Sequence, residues 1–128
     1  MPVEKIEARS LHYENKVWKN ELLFVADEIK VYENRLSDLV LNDPAREMLR
    51  QLEHFQNQFI REKEVIDHLK HDVNSHEHKL VMWVKDERGS EELLAQKHEE
   101  LLDRMETFRK LFAELKVDFY KFLAEWFN

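Results

Sequence analysis

The sequence predicts an all-α fold, an antiparallel bundle of three long helices with coiled-coil-like packing, and three observations support this prediction. Only one glycine and two prolines occur among 128 residues, whereas 37% of the residues are charged, a composition typical of long helices. Two short segments rich in turn-forming residues divide the chain into three parts. In each part, apolar residues recur at alternating three- and four-residue steps.

The first predicted helix covers about residues 4–41. Ser10 could cap this helix instead, which would leave residues 1–9 as a loose arm. At the other end, Asp43 can cap the following helix, and Pro44 suits the first position of that helix. The chain is therefore expected to turn immediately before Asp43.

The second predicted helix covers about residues 45–87, and the turn after it is the clearest in the chain. Gly89 suits the left-handed end of a helix, and Ser90 can cap the third helix, about residues 91–127. Helices of this length joined by short connections pack as antiparallel neighbours. We expect one domain over residues 1–128, which is an ordinary domain length.

Each helix carries an apolar seam that predicts burial against the other two helices. The seam of helix 1 consists of Leu11, Trp18, Leu22, Val25, Ile29, Tyr32, Leu36 and Leu39. Four polar residues interrupt the three seams, namely Asn15, Glu62, His76 and His98. A buried polar group needs a partner, and for Glu62 we expect an ion pair with Arg109 or Lys116 of helix 3.

Polar residues from all three helices are predicted to converge at one end of the bundle. In a simple hairpin register, His98 lies opposite about position 79, Asn15 opposite about position 71 and His12 opposite about position 74. A divalent metal could bind there through nitrogen and oxygen ligands, with Glu14 as a substitute for His12. The candidate ligands are His12, Asp72, His76 and His98.

A structural interpretation of the same residues stays open. The chain contains neither the Glu-x-x-His motif of di-iron bundles nor an HExxH zinc motif. Polar seam residues can instead bond to neighbours such as Asn15 or Asp72 and so determine the register of the helices.

Charge and composition exclude several classes of function. The formal net charge is −7 and acids are interspersed with the basic residues, so we expect no nucleic-acid partner. The absence of cysteine removes disulfides, thiolate metal sites and thiol nucleophiles. One glycine cannot build a phosphate loop, and no Gly-x-Ser-x-Gly elbow occurs. We therefore expect a non-enzymatic protein without a cofactor, the metal hypothesis aside.

No stretch approaches the roughly 18 apolar residues of a membrane span, and the N-terminus lacks a signal-peptide pattern. A cytoplasmic protein without a membrane partner is the expectation.

Helix 1 carries a second apolar stripe, displaced from its seam. Val17, Phe24 and Val31 follow one another at seven-residue spacing, with Leu23 beside them. A helix that is apolar on two sides usually buries both sides. The stripe therefore belongs either to a widened core face or to the interface of a two-fold homodimer.

The C-terminal segment is the most aromatic part of the chain. Tyr120, Leu123 and Phe127 flank the seam there. These residues either close the end of the core or form a docking patch for a partner.

These patterns favour a non-enzymatic structural or protein-interaction bundle that self-associates as a homodimer. The alternative is a metal-binding bundle, either an oxidoreductase or a metal carrier. A third hypothesis, a carrier of apolar ligands, requires a cavity lined by Phe108, Phe112 and Phe119.

Overall fold

The computed structural model describes residues 5–86 and 89–126. The predicted all-α bundle is confirmed, with three helices, α1 (Lys5–Val40), α2 (Arg46–Asp86) and α3 (Glu91–Trp126). Residues 5–9 continue α1, so the alternative start at Ser10 is wrong. Residues 4, 87 and 127, at three of the predicted helix ends, lie outside the described ranges.

The first turn differs from the prediction. Helix α2 begins at Arg46, and its first turn is closed by the Leu49 amide donating to the Ala45 carbonyl at 3.1 Å. Asp43 therefore lies too early to cap α2. It has a left-handed backbone with a φ of 52°, a conformation that aspartate adopts more readily than most residues.

The second turn matches the prediction. Gly89 has a φ of 104°, which is accessible to glycine without steric cost. The Ser90 hydroxyl accepts a hydrogen bond from the Leu93 amide at 3.3 Å and so caps α3.

Helix α2 runs antiparallel to both α1 and α3, which run parallel to each other. Residue numbers rise together in the α1–α3 contacts and in opposite directions in the contacts with α2. The contacts are His12–Glu77 and Glu33–Lys63 between α1 and α2, Glu21–Arg109 and Glu28–Lys116 between α1 and α3, and Asp72–Arg104 and Gln51–Trp126 between α2 and α3. The backbones of α1 and α3 approach each other much less closely than either approaches α2.

The axial register of α1 against α2 differs from the symmetric hairpin by roughly one to three helical turns, whereas the contacts between α2 and α3 keep that register within about one turn. His12 and Asn15 both reach Glu77, not positions 74 and 71, and His98 contacts His76, not position 79. The turn between two helices does not have to place their ends at the same level along the bundle axis. The positions of the turns alone therefore could not define this offset.

The seams form a core that a polar layer divides into two parts. The large part contains the seam residues of helix 1 from Trp18 to Leu39 and the buried phenylalanines of the other helices, including fully buried Phe59 and Phe119. The small part consists of Ala8, Leu80, Trp83 and Leu94. Buried Asn15, His76 and His98 occupy the seam positions between the two parts.

Glu62 is buried on the seam of α2, but the expected ion pair is wrong. Arg109 binds Glu21 and Lys116 binds Glu28, so both cations are engaged on α1. Burial raises the pKa of Glu62 above its ordinary value, against a smaller opposing effect from nearby Arg61.

Replacing Glu62 with leucine should therefore raise the free energy of unfolding by about 1–2 kcal/mol, because a desolvated carboxylate gives way to a seam residue. Urea denaturation at neutral pH measures the change. Glu64→Leu, at an exposed position of the same helix, is the control and should change stability by less than about 0.5 kcal/mol. A loss of stability in Glu62→Leu would show that Glu62 has a stabilising partner.

Candidate functional site

Polar side chains of all three helices meet where the core is interrupted. Three of them are almost completely buried, with exposed fractions of 2% for Asn15, 1% for His76 and 6% for His98. We call the group the polar cluster, and its members are His12, Glu14, Asn15, His76, Glu77 and His98.

A chain of hydrogen bonds crosses the polar cluster from α1 through α3 to α2. Nε2 of His98 lies 3.2 Å from Oε2 of Glu14, and Nδ1 of His98 lies 3.1 Å from Nε2 of His76. The ring of Trp18 stacks on His98 at a centroid distance of 4.6 Å and holds that imidazole in place.

The hydrogen-bond partners assign the tautomers of both histidines. An ionised Glu14 can only accept, so Nε2 of His98 donates and Nδ1 of His98 carries a lone pair. That lone pair accepts from Nε2–H of His76, which leaves Nδ1 of a neutral His76 as an acceptor. Among the described residues, this buried Nδ1 has no hydrogen-bond partner.

The protein environment strongly disfavours a charge on His76. Burial is the main cause and lowers the pKa of His76 to about 4, and the neighbouring His98, Lys97 and Lys79 contribute in the same direction. At neutral pH the hydrogen-bonded chain therefore contains a neutral imidazole at its α2 end.

The other part of the polar cluster is organised around Glu77. Its carboxylate contacts Nδ1 of His12 and accepts from Nδ2 of Asn15 at 3.5 Å, whereas the buried Oδ1 of Asn15 has no partner within the described ranges. Sequence reasoning missed Glu77, because the assumed register placed α1 one turn away from it. The signal that could have identified Glu77 is its position next to the seam residue His76 in the sequence.

The structure brings together only two of the four predicted metal ligands, His76 and His98. The carboxylate of Asp72 instead accepts from Nη1 of Arg104 at 2.7 Å, a bond that lowers the pKa of Asp72. The side chain of His12 is mostly exposed and bound to Glu77. In residues 5–86 and 89–126, no group of three or more histidine, aspartate or glutamate side chains is arranged to hold a metal ion. The predicted set is thus not assembled, because its oxygen ligand is committed to a guanidinium.

The second stripe of helix 1 is exposed along its whole length. The exposed fractions are 41% for Val17, 71% for Phe24 and 64% for Val31. This stripe does not belong to a widened core, because α2 and α3 leave it uncovered. Leu23 is also exposed but does not line the groove that Phe24 enters.

Phe24 lines an open groove of about 350 Å³ between α1 and α3. Phe108 and Phe112 contribute to its apolar lining, together with Val117 and Tyr120 of α3. The cavity that a carrier of apolar ligands would require is only partly present, because Phe119 lies fully buried in the core and does not line the groove. We call the exposed apolar surface the α1/α3 face, and its members are Val17, Phe24, Val31, Val117 and Tyr120.

Partly exposed ion pairs between α1 and α3 line this groove. Arg109 donates from Nε and Nη2 to the two carboxylate oxygens of Glu21 at 2.6 and 2.9 Å, a bidentate arrangement that raises the pKa of Arg109. Nζ of Lys116 lies 2.7 Å from Glu28. These pairs link α1 to α3 beside the apolar lining of the groove.

The C-terminal candidates have three different outcomes. Tyr120 is half exposed, and its hydroxyl lies 2.8 Å from that of Tyr32, whose own proton is donated to Glu28 at 2.6 Å. Tyr120 must therefore donate to Tyr32, which orients its ring on the α1/α3 face. Leu123 is partly buried against the large part of the core, and Phe127 lies outside the described residues.

None of the three helices, over the residues described, is both long and apolar enough to cross a membrane. Comparisons with protein-family models, with curated proteins and with solved structures find no match to this chain.

Proposed function

We propose that the protein is a non-enzymatic interaction module that self-associates as a two-fold homodimer through the α1/α3 face. The observation that supports this proposal is an exposed apolar surface that spans two parallel helices and is centred on Phe24. Exposed apolar patches of this kind are typical of protein-interaction sites.

The stripe on α1 is symmetric about its middle residue, which favours a second copy of the chain as the partner. In a two-fold interface, the same patch packs on itself with the helix direction reversed. Phe24 would then meet Phe24 of the partner subunit, and Val17 would meet Val31 of the partner subunit. A partner of unrelated sequence would have no need of this symmetry.

The charges around the face permit self-association in spite of the net charge of −7. Glu21 and Glu28, the acids that line the groove, are neutralised by Arg109 and Lys116 within the same chain. Two copies of the face therefore meet as apolar surfaces bordered by neutral ion pairs.

The apolar stripe from Val17 to Val31 is about 21 Å long, so the α1/α3 face itself offers roughly 400 Å² across two neighbouring helices. A specific complex buries about 800 Å² on each partner, so the interface must also include residues of both helices that flank the face.

Phe24→Glu should weaken dimerisation at least about 100-fold, because two carboxylates would be buried at the centre of the interface. Sedimentation equilibrium over a range of micromolar concentrations measures the dimer dissociation constant. Ile60→Glu is the matched control, since Ile60 is similarly apolar and half exposed but lies on α2, away from the face. A monomeric wild-type chain, or a Phe24→Glu variant that dimerises normally, would reject the proposal.

A further inference from the structure

A second groove, of about 500 Å³, lies between α2 and α3 on another side of the bundle. Its apolar walls include the half-exposed Val65 and Leu111 and the buried Leu69 and Phe108. Glu62 lines the same groove. We call it the Glu62 groove.

Glu62 is more than nine-tenths buried, with an exposed fraction of 8%. It is one of the residues that line the groove. The cations that could have neutralised it across the bundle, Arg109 and Lys116, are bound to acids of α1. The groove thus contains a negative charge set among apolar side chains.

None of the described side chains that line the groove forms an ion pair with Glu62, although the neighbouring Arg61 partly offsets its charge. Arg104 is bound to Asp72 at 2.7 Å, and Asp103 adds a second carboxylate at the rim. His68 and Thr107 complete the polar lining. Two carboxyl groups, Glu62 and Asp103, thus line the groove, while the guanidinium that lines it is bound to Asp72, an arrangement that favours a positively charged ligand.

Glu62 also interrupts the apolar seam of α2, where a leucine side chain would be buried at a lower cost in free energy. A residue that breaks the local pattern without a stabilising partner is typical of a functional position. In the polar cluster, by contrast, His76 and His98 break the pattern but bond to each other. Glu62 is therefore the seam residue whose presence the fold itself explains least.

We infer that the Glu62 groove binds a small apolar amine in its protonated form. The ammonium group would pair with Glu62, and the apolar part would lie between Val65, Phe108 and Leu111. A volume of about 500 Å³ falls within the range of small-molecule sites. This inference does not rest on the proposed dimer, because the exposed residues of the α1/α3 face do not line the Glu62 groove, although the buried Phe108 lines both grooves.

The test is isothermal titration calorimetry of the full chain with phenethylammonium. The neutral analogue 2-phenylethanol should bind at least about tenfold more weakly, because it cannot pair with the carboxylate. Glu62→Gln retains the shape of the side chain and should lower the affinity for phenethylammonium at least about tenfold while the affinity for 2-phenylethanol stays unchanged. Glu64→Gln removes an exposed charge from the same helix and should bind like the wild type.

Three results would overturn the inference. They are the absence of phenethylammonium binding at millimolar concentration, equal binding of the charged and neutral probes, and full affinity in Glu62→Gln. An Nα-acetyl-lysine amide that binds in place of phenethylammonium would also reject the small amine and indicate a lysine side chain of a protein. Circular dichroism of each variant verifies that its helices are intact. Sedimentation equilibrium measures dimerisation separately, so a failure of amine binding is distinguishable from a failure of the proposed dimer.

Discussion

Replacing Phe119 with alanine should lower the free energy of unfolding by about 3–5 kcal/mol. Phe119 is fully buried, and its ring lies within 5.0 to 5.4 Å of the ring centroids of Tyr32, Phe55 and Phe59. Truncation would leave a cavity surrounded by rings of two other helices, which cannot move into it without losing their own contacts. Urea denaturation followed by circular dichroism measures the loss.

Ile60→Ala is the control for this prediction, because Ile60 lies on α2 with about half of its side chain exposed. Its replacement should cost less than about 1 kcal/mol. All variants must be compared at one protein concentration, since dimerisation would add to the apparent stability. Equal losses of unfolding free energy in Phe119→Ala and Ile60→Ala would contradict the burial of Phe119 in the aromatic core.

As the pH falls from neutral to about 4, the free energy of unfolding should decrease by about 3 kcal/mol more in the wild type than in a His76→Phe variant. The pKa of His76 is lowered from 6.5 to about 4 in the folded chain, so the unfolded chain binds the proton first. The stabilising contribution is thus fully present above about pH 6.5 and is lost as the pH falls through the range down to about 4. The physical cause is the burial of His76 beside His98, Lys97 and Lys79.

The comparison with His76→Phe isolates one group, because every other ionisable side chain, including Glu14 and Glu77, is the same in both proteins. Denaturation curves at several pH values give the two profiles. An NMR titration of the His76 imidazole provides a direct second measurement. Parallel profiles for the two proteins, or an imidazole that titrates near its ordinary value, would show that the polar cluster accepts a charge.

Local periodicity was sufficient to predict the helices and the position of the core. Asn15, Glu62, His76 and His98 were identified as seam residues, and all four are buried. The stripe around Phe24 was likewise visible as a second period of seven, but whether it is exposed or part of a widened core was left open. These features depend on which face of one helix a residue occupies, and helical geometry alone determines that face.

Partner choice could not be predicted in the same way. Glu62 was expected to bind Arg109, but that guanidinium reaches Glu21 on the parallel helix α1. Asp72 was expected near the histidines, but Arg104 holds it on the α2–α3 side. A long charged side chain can reach partners on either neighbouring helix, so its choice depends on the distances between helices.

The sequence by itself therefore determined the three-helix bundle, its seams and their polar interruptions, because burial follows from spacing along one helix. Only the tertiary structure decided the axial offset of α1 relative to α2, the hydrogen-bonded chain from Glu14 to His76, and the grooves beside Phe24 and Glu62. These features depend on the axial offset and separation of whole helices. Both quantities result from the simultaneous packing of all three seams and are not encoded in any single segment.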